Sequence, residues 1–232
     1  MAAMLFKLLP PNARSGGHLW DLPTAEAPGR WAPNMSEPCL GSRGYHLLTM
    51  AGVMGRGAAL LYVAEGRGQC NMEIDGSVRA FESARLVRQV GAWTLDTLRL
   101  FAADCAERAL DAVSCTDDRL RGALETARRH AEGSASAEAL RAAAREAADA
   151  AVAAVVAAKR SVQSSVGCTP DAAQAVRMAV REKFDIDAAW MAADDAWGVM
   201  WVLRGIGGAR KERAWQVGRL AQLLGVEPSD VR

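Results

Sequence analysis

Apolar and polar positions follow two different rhythms along this chain, and the change falls near residue 91. Before it, apolar runs are short and bounded by glycine and proline. Met4–Leu9 is stopped by Pro10-Pro11, and a loop-rich stretch follows through Gly16-Gly17, Pro23, Pro28, Pro33 and Pro38. Tyr45–Thr49 and Ala58–Glu65 then read as strands, the second as a buried one. Val78–Val90 alternates at Val78 and Ala80 and again at Leu86, Arg88 and Val90, which suits strand. Phe81, Ala84 and Arg85 would also suit a helical turn, and strand is the preferred reading.

Past residue 91 the period becomes helical. Leu98, Phe101, Ala102, Cys105, Ala106, Ala109, Leu110 and Val113 form one core-facing stripe, with Asp104, Glu107, Arg108 and Asp111 on the other side. A second helix is predicted from about Asp117 to His130, with Gly133 as its C′ residue. Ser134 or Ser136 caps a third, reaching roughly Val162, whose inward positions read Leu140, Ala144, Ala147, Ala151, Val155, Ala158 and Val162. Thr169-Pro170-Asp171 supplies a cap, a first-turn proline and an acid for a fourth helix, expected to continue to Phe184. A fifth covers about Asp187–Leu203, ending at the Gly205/Gly207/Gly208 cluster, and a sixth covers Ala209–Leu224.

Composition sharpens this picture. Of 21 glycines, 12 lie in residues 1–91, and so do six of the eight prolines. The expected fold is α+β, with a β-rich domain at 1–91 and a helical bundle of about six helices at 92–232. One continuous domain, with a small sheet packed on the bundle, is the alternative. Net charge is +1, with 9 basic and 7 acidic residues before position 92 and 19 and 20 after it. That balance argues against nucleic acid as the main partner, because phosphate binding needs a basic surface. The five cysteines form no CxxC pair, which points to a reducing compartment. The opening apolar run is too short for a signal peptide, and Ala150–Ala158 is half of a membrane crossing, so a cytoplasmic protein with no membrane is expected.

Candidate chemistry is sparse. Cys39, His46, His18 and Cys70 supply zinc-ligand atoms at spacings that resemble no paired-ligand knuckle, so no metal and no cofactor are expected. No GxSxG motif occurs, and no serine or cysteine sits in a base-bearing pattern, so no catalytic residue is assigned. Gly55-Arg56-Gly57 and Gly66-Arg67-Gly68 lack the following helix of a phosphate loop and read as turns. Asp194-Asp195 would point about 100° apart on a helix and cannot chelate from one face. Trp190, Trp197 and Trp201 form a stripe expected to be core. Arg119, Arg121, Arg128 and Arg129 lie at helical spacings opposite the acids of the first helix, so structural ion pairs are expected for Asp104, Arg121 and Arg128, with an Asp104–arginine bridge across the helix pair.

The segments LRLFAADCAERAL (98–110), DDRLRGALETARRHAEG (117–133) and ERAWQVGRLAQLLGV (212–226) resemble the helical domain of an immunity-protein family of bacterial polymorphic toxin systems. The positions that carry the likeness are Asp104, Cys105, Glu107, Arg108, Arg121, Leu124, Arg128 and Trp215. Residues 16–91, with Gly44-Tyr45-His46 ahead of a strand, are similar to a small domain of uncharacterised function in phage and bacterial proteins. The resemblance implies a non-enzymatic module whose partner is another protein. The alternative is a front domain that binds nucleotide or is ADP-ribosyltransferase-like. On that layout His18, Tyr45, His46, Thr49 and Glu82 would form the site, with Glu82 as the acid that stabilises oxocarbenium-like charge. Oligomeric state has no signature in the sequence.

Overall fold

Strands come first and helices after in the computed structural model, which describes residues 4–160 and 169–226. The order begins β1 (Leu5–Leu9), β2 (Arg14–Ser15), β3 (His18–Leu19), β4 (Tyr45–Leu48), α1 (Met50–Val53), β5 (Leu60–Met72) and β6 (Val78–Gln89). β1, β4, β6 and β5 close into a small antiparallel barrel in that spatial order. Inward positions alternate, so Leu5 and Leu9 of β1, Tyr45 and Leu47 of β4, Tyr62 and Ala64 of β5 and Leu86 of β6 share one core. Gly16 and Gly17 both take positive φ between β2 and β3, as a two-residue hairpin of matching twist requires.

Gly66-Arg67-Gly68 is not a turn but lies inside β5. The Phe81 ring occupies the space a Cβ at Gly66 would need, and Gly68, at φ 82, sits at a register shift. Glycine here lets a long strand bend around the barrel. The proline-rich stretch that precedes β4 docks on the part of β6 beyond its pairing with β4. Gly29, Ala32 and Met35 donate backbone N–H groups to Leu86, Ala84 and Glu82 carbonyls. Trp31 of this strap lies over the guanidinium groups of both Arg67 and Arg85, at 4.3 and 4.8 Å. The strap thus satisfies edge groups that a fifth strand would otherwise cover.

The helical unit holds α2 (Leu95–Ala112), α3 (Asp118–Ala131), α4 (Ala137–Arg160), α5 (Pro170–Ala179) and α6 (Ile186–Leu223). α2 is central and packs against α3, α5 and α6. Thr94, Asp117 and Thr169 cap α2, α3 and α5 through their side-chain oxygens. α5 stops at Ala179 rather than Phe184. Arg99, buried on α2, donates to the Ala179 and Arg181 carbonyls at 3.0 and 2.9 Å and stacks on Phe184, so it fixes that end.

The inward face of α4 is Leu140, Ala143, Ala147, Ala150, Ala151 and Ala154. Of the expected seam, Leu140, Ala147 and Ala151 are buried, Ala144 is half-buried and Val155 is exposed, and Ala143, Ala150 and Ala154 complete the face; the side chain of Ala158, and Val162, lie outside the described residues. The predicted fifth and sixth helices join into α6, broken at a single residue, Gly205 (φ 62, ψ −164). The chain forms two compact units, one up to Trp93 with residues 224–226 and one over Thr94–Leu223. No helix among the described residues is long and apolar enough to cross a membrane.

Candidate functional site

Lys7 is the middle residue of the Leu5–Lys7–Leu9 face, which packs into the barrel core, and it is only 9% exposed. β1 and β4 meet at the pair Phe6↔Leu48, and continuing that register would set Leu8 opposite His46. The strands diverge there instead, and the Lys7 ammonium donates to the His46 carbonyl at 3.0 Å. A side chain thus stands where a ladder bond would be. Tyr62 faces Lys7 across β5, and the Trp20 ring centroid lies 5.1 Å from the Lys7 nitrogen. Among the described residues, no carboxylate lies within ion-pair distance of Lys7. Burial lowers its pKa from the ordinary 10.5 to about 8.

A cavity of about 710 Å³ opens at this seam. Lys7, His46, Arg56 and Glu73 are the ionisable residues among those that line it, Ser15 and Ser42 are hydroxyl-bearing ones, and Leu8, Leu48 and Val78 are apolar. His46 Nε2 accepts from the Gly41 N–H at 3.0 Å, which assigns the proton of the neutral ring to Nδ1. Glu73 accepts from the Ser77 hydroxyl at 2.8 Å.

Of the five front-domain residues singled out in the sequence, His46 alone lines this cavity. His18 and Tyr45 come together with Trp20 in an edge-to-face triangle, with centroids 5.2 to 5.6 Å apart. Burial and the Lys7 charge depress the His18 pKa, which keeps its ring neutral at pH 7. The Tyr45 hydroxyl donates to the Pro33 carbonyl at 3.0 Å and holds the strap. Thr49 caps α1 by accepting from the Gly52 N–H at 3.4 Å. Glu82, on β6 beside Gly68, does not line this cavity. Lys7 is not among the residues the sequence singles out, although its place in the Leu5–Lys7–Leu9 alternation is signal enough.

In the helical unit the charged residues make structure. Asp104 receives Arg128 at 3.0 Å and Arg219 at 2.7 Å, Arg128 also reaches Glu107 at 2.8 Å, and Arg121 pairs with Asp111 at 2.9 Å. Arg108 meets the fully buried Glu212 at 3.0 Å and lies over the Trp215 ring at 4.1 Å. Burial, with Glu212 and Asp104 nearby, pushes the Cys105 thiol well up, so it stays protonated and inert. No group of three potential metal ligands occurs among the described residues.

The tryptophan stripe of α6 is core only at one end. Trp190 is buried against Phe101 at 6.1 Å, whereas Trp201 is 45% exposed. Val202 (76%), Leu203 and Ile206 (54%) continue the exposed apolar surface across the Gly205 break. Arg204, Arg210 and Lys211 surround it, all exposed and without an acidic partner among the described residues. Between Asp195 and Glu212 the chain carries no acid at all. Compared with protein-family models, curated proteins and solved structures, this chain matches none.

Proposed function

We propose that this protein is a non-enzymatic interaction module of the immunity type, acting in the cytoplasm, and that α6 binds its protein partner around Gly205. The supporting observation is the exposed Trp201, Val202, Leu203 and Ile206, with Arg204, Arg210 and Lys211 close by in the chain, exposed and without an acidic partner among the described residues. Exposed apolar groups that a monomer would ordinarily bury mark a contact surface. The cations specify the partner's chemistry: an apolar contact bordered by carboxylates, which would also steer encounter. A two-domain α+β layout, with residues 92–232 as a helical bundle domain, belongs to the same reading.

A photo-crosslinking residue placed at Val202 tests it in the native host. The expected result is one discrete covalent adduct with another protein. Once purified, that protein should bind the unmodified chain, and Ile206→Asp should weaken binding about tenfold or more, as loss of a central apolar contact does. Adducts only with a second copy of this chain, or retention on anionic vesicles with no protein adduct, would overturn the proposal.

A further inference from the structure

Among the described residues, no carboxylate lies within ion-pair distance of the lysine at the barrel cavity. An ammonium group removed from water is costly unless paired, and natural proteins pair such groups or use them. Among the described residues Lys7 makes one hydrogen bond, to the His46 carbonyl, and an ammonium has three N–H donors. Its neighbours cannot neutralise it. Tyr62 lies opposite on β5, His18 on β3 is neutral at pH 7, and Tyr45 on β4 is committed to Pro33. Arg56 adds a second cation to the cavity wall, and the one acid there, Glu73, accepts from Ser77.

The cavity's size falls within the range of small-molecule sites, about 300–1,000 Å³. Its wall combines these cations and hydroxyls with the Leu8, Leu48 and Val78 side chains. A ligand suited to it has a negative group at one end and a compact apolar body at the other. We propose that this cavity binds a small organic anion, carboxylate or phosphate, whose charge is met by the Lys7 ammonium. The lysine, without an acidic partner among the described residues, is the protein's half of an ion pair, and charge-assisted hydrogen bonding to the ligand completes it. This site is independent of the α6 surface, and either proposal can fail without the other.

The test uses the full chain at pH 7, titrated calorimetrically with inorganic phosphate, benzoate and the neutral control benzamide. Thermal unfolding is followed in parallel. At least one anion should bind saturably and raise Tm, while benzamide does neither; which anion succeeds separates a phosphate ligand from a carboxylate one. Lys7→Met should weaken that binding about tenfold or more while raising the Tm of the free protein, and Lys7→Arg should keep most of the affinity. A purely structural lysine would give the opposite Tm shift. Should Lys7→Met fail to fold, wild-type affinity measured from pH 7 to pH 10 carries the test, because it should fall as the ammonium is lost. No saturable binding of either anion up to about 10 mM, equal binding of benzoate and benzamide, full affinity in Lys7→Met, or affinity flat across that pH range would each overturn the proposal.

Discussion

Lys7 occupies a position that an apolar residue would fill at lower cost, and that makes its contribution to stability depend on pH. Its pKa falls from 10.5 to about 8 on folding, so between those values the unfolded chain binds more protons than the native one. Stability therefore rises with pH across that window. Below pH 8 both states are protonated and the penalty is fully present. It amounts to roughly 3 kcal/mol, at about 1.4 kcal/mol per pH unit. Lys7→Met should be more stable than the wild type by about that amount at pH 7, with the gap closing by pH 10.5. Urea midpoints measured at both pH values check this. A gap that stayed constant or widened would mean that the lysine is not desolvated.

Gly205 decides the geometry of the longest element. Its φ of 62 and ψ of −164 belong to a region that is nearly glycine-only, while a Cβ placed there would meet nothing within 4 Å. The cost of any side chain at this position is thus backbone strain alone. Gly205→Ala should destabilise the protein by about 1–3 kcal/mol, read as a lower urea midpoint with an unchanged m-value. An unaffected midpoint would show that α6 straightens freely.

The glycine cluster is legible as a break in the sequence, but its width is not. Gly207 and Gly208 lie within the helix that resumes after Gly205, although both have low helix propensity. The same contrast runs through the other elements. The stripe of α2, with Leu98, Phe101, Cys105 and Leu110, can be read directly because large apolar residues mark its phase. The face of α4 is legible only in part, at Leu140, Ala147 and Ala151, since nearly every position is alanine and periodicity has little contrast to work with. Gly66 reads as a turn for a related reason. What it accommodates is the Phe81 ring, a cross-strand partner invisible in local pattern. The cavity is half legible: His46 stands out, whereas Lys7 hides inside an otherwise apolar run.

At the scale of the whole molecule, each compact unit buries its own core and, among the described residues, withdraws from water one ionisable group without a counter-charge beside it. In the barrel it is Lys7. In the helical unit it is Asp195, whose Oδ2 is buried without a hydrogen-bond partner among the described residues. Burial first, then the carboxylates of Asp171 and Asp194, raise the Asp195 pKa from 3.8 to about 6. The sign is opposite to that of Lys7. The native state binds the proton more tightly, so the penalty is full above pH 6 and is relieved as pH falls toward 3.8. Asp195 is only half-buried, and solvent screening trims the effect of its shift. Asp195→Asn should therefore stabilise the protein at pH 7, by about 2 kcal/mol, and gain little at pH 4. The two residues lie in different units and share no hydrogen-bond or ion-pair partner among the described residues. The double variant Lys7→Met/Asp195→Asn should gain the sum of the single effects to within about 0.5 kcal/mol, provided that urea unfolding remains a single transition. A shortfall larger than that, at pH 7 where both penalties are fully expressed, would mean that the units exchange free energy through contacts the two cores do not contain.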